Sequence, residues 1–309
     1  MPIAVHYERH FNTTGGGAVT HGQEVNASNT GLTGAGVTVG ELTPQGTITY
    51  STPGQTIELL DFTGAVRVNA DNVTIRKCRV RFAGSENGHG IMVVGDNVTI
   101  EDCLIVPSTG SYKFGIKVGD DDLPTGTTIS RCDISVCENF ITMQGHTTLI
   151  ETSYMHTSSG ASQPGFHLDG IEVFEGTNNT VSKCRIGDTT LNEDAAFNIT
   201  PAFGAASVTN YDILDNFIDG GTDHILVAVQ STGDVTFVRV LRNVMGGHTA
   251  LSDYSPIDNQ NGALARTAGE QTTTPQDVLM PITGDDVNTW GECSDLVPDR
   301  TGETITQGS

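Results

Sequence analysis

The chain is short of positive charge. It has 15 Lys and Arg against 37 Asp and Glu, a formal charge of −22 over 309 residues. Nucleic acid and anionic membrane would both be repelled by such a surface, so neither is expected as a partner. Long apolar runs are missing too. No stretch approaches the roughly 18 to 20 residues that a membrane-spanning helix needs, so no insertion is expected. The opening MPIAVHYERHFNTTGGG lacks a basic head followed by an apolar core, so a cleavable export signal is not expected there. The six cysteines include no C-x-x-C pair, which speaks against a zinc site. Helix formers are thin, whereas Gly (37 residues), Thr, Val, Asn and Asp abound. That is the composition of strands and turns.

What is present is a repeat. NVTIRKCRV begins at Asn72 and returns as NVTIEDCLI at Asn97, TTISRCDI at Thr127, TTLIETSYM at Thr147 and NTVSKCRI at Asn179. Two weaker copies span Val208–Ile218 and Val235–Met245. One position of the repeat reads Cys78, Cys103, Cys132, Ser153, Cys184, Asn216, Asn243. Ahead of each copy lies a short alternating run with the apolar pairs Val66/Val68, Ile91/Val93, Ile116/Val118, Ile141/Met143, Ile171/Val173, Phe197/Ile199 and Val227/Val229. Alternation over four to six residues, punctuated by Gly, Asp and Asn, is strand periodicity. Units this short cannot bury an apolar face alone, but stacked as parallel coils about 4.8 Å apart they can. The expected fold is all-β, a parallel β-helix of about seven to eight coils. The Cys and Asn column suits its interior. Small side chains accept an identical neighbour above and below, and Asn can hydrogen-bond along the stack. Inward Cβ atoms in register stay about one coil spacing apart, beyond the disulfide optimum, so packed thiols are expected. Cys137 and Cys293 fall outside the column.

Three regions follow: an N-terminal extension over 1–28, the solenoid with its N-terminal cap over 29–255, and a polar extension or cap over 256–309. The coil pattern N-V-T-I-x-x-C/N-x-I, the opening NTGLTGAG…LTPQGTITY and the segment HLDGIEV (His167–Val173) resemble the right-handed parallel β-helix proteins of the pectate-lyase-like superfamily. More narrowly, they are similar to minor tail proteins of actinobacteriophages and to secreted actinobacterial β-helix proteins. That fold carries lyases, hydrolases, epimerases and non-catalytic tail proteins.

Work on a glycan needs carboxylates held at a fixed separation on one wall. Candidates cluster just before the inward pairs of three successive coils: His167, Asp169, Glu172 and Glu175, then Glu193 and Asp194, then Asp223 and His224. Counting back from Ile171, Phe197 and Val227 places His167, Glu193 and Asp223 in one row, with Asp169 two residues along. Carboxylates of neighbouring coils would stand about 5 Å apart, the spacing of a retaining pair, and those two coils apart about 10 Å. Among polygalacturonase-type hydrolases the resemblance matches Asp169 to the Asp of the N-T-D motif and Glu193–Asp194 to the D-D motif, with His224 near the His of G-H-G. His-Leu stands where Asn-Thr would be, and no R-x-K follows. The G-H-G at Gly88–Gly90 comes too early and reads as a turn with His89 facing solvent. No cofactor is required by these residues. The run Gly119-Asp120-Asp121-Asp122 offers oxygen ligands for Ca²⁺ or a plain acidic turn, and both readings stay open. Arg185, following Cys184, reads as an outward, solvated charge.

The sequence therefore leads to a phage-tail β-helix, of the minor-tail or tailspike type, that contacts a host-surface polysaccharide. Asp169, Glu193, Asp194 and His167 are its candidate catalytic residues, and Glu172, Asp223 and His224 its candidate substrate contacts. The alternatives are a polysaccharide hydrolase or lyase, secreted or on a virion, and a purely structural tail element. The resemblance implies other tail proteins and a homotrimer as partners, although the chain shows no coiled-coil heptads.

Overall fold

The computed structural model describes residues 22, 25–82, 88–108, 114–156, 169–187, 195–201, 206–218, 223–228, 234–245, 255–260, 278–279 and 289–290. Three parallel stacks of short strands make up the molecule. Sheet 1 has ten strands, from Thr43–Gln45 through Arg79–Val80, Asp133–Ser135, Tyr154–His156 and Arg185–Ile186 to Thr289–Trp290. Sheet 2 runs from Ile48–Tyr50 through His89–Val93, Phe114–Val118, Asn139–Gln144, the first part of Asp169–Ser182, Ala195–Ile199 and Asp223–Ala228 to Ser255–Gln260. Sheet 3 runs from Thr56–Glu58 through Thr99–Glu101, the second part of Asp169–Ser182 and Ser207–Leu214 to Val278–Leu279. The chain visits sheets 1, 2 and 3 in turn, and every strand pairing among the described residues is parallel, as a β-helix requires. The region before Leu60 and the strands after Met245 add turns in which the sequence repeat is no longer legible.

Alternation places the core. Ile91, Ile116, Ile141, Ile171 and Phe197 are in mutual register on sheet 2, with Val93, Val118, Met143, Val173 and Ile199 in a second row, and all are fully buried. Sheet 3 contributes Ile75, Ile100, Ile129, Ile150, Val181 and Ile213. Each such side chain, removed from water, contributes about 1.5–3 kcal/mol against the entropy of ordering the chain.

The corner from sheet 3 to sheet 1 is invariant. It consists of one left-handed residue, then one column residue. Lys77, Asp102, Arg131, Thr152, Lys183, Asp215 and Arg242 have φ between 49° and 56°. Cys78, Cys103, Cys132, Ser153, Cys184, Asn216 and Asn243 follow them with no exposed surface. The described cysteines are free thiols, and Cys137 joins them in the core. Where the column turns polar it bonds along the stack. Ser153 Oγ accepts from the Cys132 N–H at 3.1 Å, Asn216 Oδ1 from the Cys184 N–H at 2.9 Å, and Asn243 Oδ1 from the Asn216 N–H at 3.0 Å. The left-handed residues outside carry a charge ladder, with Arg131 bidentate to Asp102 (2.7 and 2.9 Å) and Arg242 to Asp215 (2.7 and 2.8 Å).

The segment before the first strand lies along this same corner. The Gly22 N–H donates to Asp215 O at 2.9 Å and the Gly31 N–H to Arg131 O at 2.7 Å, while Val25 and Leu32 are buried. Gly31 has φ +57°, and a Cβ there would lie 2.8 Å from the Asp133 Cβ, so a side chain is excluded on both counts. No helix among the described residues is long and apolar enough to cross a membrane.

Candidate functional site

The corner from sheet 1 to sheet 2 varies where the other does not. Connections of 81–88, 106–113, 157–168 and 187–194 contrast with short links at 46–47, 63–65 and 219–222 and, in the middle of the stack, at 136–138. Chain length added at one corner of a rigid scaffold is where binding groups are usually found. Most of those longer connections lie outside the described residues.

On the outer face of sheet 2, next to this corner, one row in register reads Arg67, Met92, Lys117, Thr142, Glu172, Asn198. The row at the corner itself includes His89, Phe114 and Asn139, and Asp169 with Ala195. Side chains of the two rows bond to one another across three coils. The Asn139 Nδ2 amide donates to Glu172 Oε2 at 2.5 Å, and Asn139 Oδ1 accepts the Asp169 N–H at 3.2 Å. Asn198 Nδ2 donates to Asp169 Oδ2 at 2.9 Å, and the Thr200 hydroxyl donates to Asn198 Oδ1. Asp169 is 1% exposed, Glu172 half-buried and Glu138, in the short link, 7% exposed. The amides are thus spent on holding carboxylates.

Of the residues expected from sequence, Asp169 and Glu172 lie in this network. His167, Glu193 and Asp194 lie outside the described residues, as do the side chains of Asp223 and His224. The expected row needs correction. The structure pairs Ile225, not Val227, with Phe197, so Asp223 falls two residues before an inward position, as Asp169 does, and not in the row counted from His167. A slip of two residues in the alternating HILVAV leaves every side chain on its own face, so alternation alone could not fix the register. Asn139, Thr142 and Asn198 were not singled out as site residues. Their signal was weak, a polar residue at each outward position of an alternating run.

Two other expectations change. His89 opens the strand His89–Val93 and is half-buried, not in a solvent-facing turn. Arg185 faces outward on sheet 1, but its guanidinium lies 5.6 Å from the centre of the Tyr154 ring and 5.1 Å from that of Phe217. Tyr154 also stacks on His156, whose Nε2 is 2.9 Å from Asp133 Oδ1. At 119–122, Gly119 turns with φ +83° and Asp120 faces Lys117, its Oδ1 2.8 Å from Nζ. That ammonium holds the Asp120 carboxyl below its ordinary value, chiefly through this hydrogen bond. Among the described residues no group of three or more His, Cys, Asp or Glu converges as a metal cage would.

A family model described as the right handed beta helix region matches residues 64–241. No curated protein sequence matches the chain. Among solved structures, two variants of the tailspike protein of E. coli bacteriophage HK620, each in complex with a pentasaccharide, align with 81% of this chain at 10% identity. Their TM-scores are 0.46 and 0.44. The chain covers 51% of each tailspike chain, about half its length.

Proposed function

The chain belongs to the right-handed β-helix family, and on that footing we propose that it is a tailspike-like component of a phage tail that holds a host-surface glycan against sheet 2. The observation that carries the reading is the bonded set Thr200–Asn198–Asp169–Asn139–Glu172, which fixes two carboxylates three residues apart on one strand of sheet 2. A glycan offers hydroxyl donors along its whole length. Asp169 and Glu172 stand three residues apart on one rung and Glu138 on the rung about 4.8 Å below, so acceptors of two rungs face such a chain. The charge of −22 favours this partner over nucleic acid and anionic membrane. Placement on a virion rests on the resemblance of the coil pattern and of His167–Val173 to tail proteins. The buried free thiols suit a chain that folds in a reducing cell interior, where tails assemble. In that setting other tail proteins and two further copies of the chain are its partners.

A second reading is supported by Asp169. In it the carboxyl group, 1% exposed beside a half-buried Glu172, serves as the acid for glycoside cleavage. One experiment separates the readings. Extracted host-envelope polysaccharides are incubated with the wild type and with Glu172→Gln, and both retention and new reducing or unsaturated ends are measured. Retention without products, weakened at least about tenfold in a variant of unchanged melting, is expected from lost charge-assisted bonds. Product formation would make the protein a hydrolase or lyase. Failure of the wild type to retain any polysaccharide would overturn the glycan reading.

A further inference from the structure

The carboxylates are concentrated where the row on sheet 2 turns polar, and the cations are held elsewhere. Glu138, Asp169 and Glu172 belong to two adjacent coils, on either side of Asn139. The described cations of the same face, Arg67 and Lys117, lie toward the N-terminal end and are directed at Asp120, at 3.8 and 2.8 Å. Between these two zones stands Thr142. Register places it between Lys117 and Glu172, it is 1% exposed, and its hydroxyl has no hydrogen-bond partner. A buried hydroxyl without a partner is uncommon in a folded protein. It can pair with a sugar hydroxyl as donor or as acceptor.

We infer that the glycan held at these rungs is uncharged there, a hydroxyl-rich neutral polysaccharide and not a polyuronate, polysialate or phosphate-bearing polymer. This inference rests on the glycan reading above and narrows it. A carboxylate on the ligand about 5 Å from Glu172 would face a like charge with no described cation free to offset it. The whole chain, at −22, repels the same polymer at long range. The sequence agrees, since no R-x-K follows the acidic cluster to receive a sugar carboxylate. Half-buried Glu172 accepts sugar hydroxyls, buried Asp169 holds the Asn198 amide beside it, and Thr142 is the neutral group between Glu172 and Lys117.

The test is equilibrium binding of the full chain to an array of purified bacterial surface polysaccharides sorted into neutral and acidic sets, at low salt and at about 0.5 M salt, where charge interactions are screened. The expected result is that the polysaccharides bound are neutral, with affinity changing less than about threefold across the salt range. Glu172→Gln should lower that affinity at least about tenfold, the loss of a charge-assisted bond. Thr142→Val, which removes the unpartnered hydroxyl and keeps the shape, should lower it while melting is unchanged or raised. Preference for acidic polysaccharides, or affinity falling steeply with salt, would overturn the inference while leaving the glycan reading in place. If no polysaccharide of either set binds, the glycan reading falls, and this inference with it.

Discussion

Replacing Asn216 by Ala tests the polar part of the inner column directly. The side chain has no exposed surface. Its Oδ1 accepts the Cys184 N–H at 2.9 Å, and its Nδ2 donates to Val181 O and to Asn243 Oδ1, both at 3.0 Å. Asn243 Oδ1 keeps a donor in the variant, because the Asn216 backbone N–H also reaches it. Cys184 N–H loses its partner, and Val181 C=O loses one of its donors and keeps its ladder bond, inside the solenoid and away from water. An orphaned buried group costs about 1–3 kcal/mol, and the small cavity adds to that, so Asn216→Ala should cost about 3–5 kcal/mol. Asn216→Ser should cost about half as much. Ser153 shows why, since its hydroxyl at the same column position accepts the Cys132 N–H and donates to Glu151 O at 3.0 Å. A serine would therefore recover the Cys184 bond and forgo only the amide's added bond to Val181 O. Urea unfolding followed by far-ultraviolet circular dichroism, with equal denaturant slopes in the three proteins, reads both differences. A loss below about 1 kcal/mol for Ala, or equal losses for Ala and Ser, would refute the view that these bonds hold the coils in register.

Two further perturbations follow from the same geometry. Asp61 accepts from both Arg79 (2.8 and 2.7 Å) and Arg81 (3.0 and 2.6 Å), and these bonds, Arg79 first, hold its carboxyl at about 2 against an ordinary 3.8. A depressed carboxylate stabilises the fold above its unfolded value, so about 2 kcal/mol should be lost as the pH falls from about 4 to 2. Asp61→Asn should flatten that part of the acid-unfolding curve, and an unchanged curve would refute the assignment. Cys78, Cys103, Cys132, Cys137 and Cys184 are fully buried, and burial pushes the Cys137 and Cys184 thiols up, away from the reactive thiolate. A chromogenic disulfide reagent should therefore find at most one of the six thiols in the native protein and all six in urea, and rapid reaction of two or more would contradict the packing.

The sequence is legible where the geometry repeats and opaque where it does not. The two-residue corner between sheets 3 and 1 recurs in every described coil from Lys77–Cys78 to Arg242–Asn243, so its column stands out as a repeat. The inward pairs of sheet 2 were equally readable up to Phe197/Ile199. The last, at HILVAV, was assigned two residues late because period-two alternation is blind to a two-residue slip. The extra turns at either end were hidden for a different reason. Strands such as Thr43–Gln45, with exposed residues and Pro44, bury little and need no apolar signature. Asp169 and Glu172 could be picked out because acids precede an inward pair there. The amides that hold them could not, because Asn139 and Asn198 sit on coils 30 and 29 residues away and no local spacing links them to the acids.

The corner row of sheet 2 separates what the fold demands from what a site demands. Along that row the scaffold accepts Phe114 and Ala195 without difficulty, and Ala195, in register with Asp169, is fully buried. An apolar side chain there therefore satisfies the β-helix. Asn139 and Asp169 occupy the intervening coils, 3% and 1% exposed. Burying an amide and a carboxylate where a methyl group suffices costs free energy that hydrogen bonds between the two only partly offset. Nothing in the stacking requires that choice, whereas the inner column shows what stacking does require, small groups in register. Glu172 and Thr142 continue the departure onto the next row, at the coils beside the short link 136–138. Polar burial along this row in two or three neighbouring coils, at the corner where the chain adds and removes length, fits the binding surface proposed above.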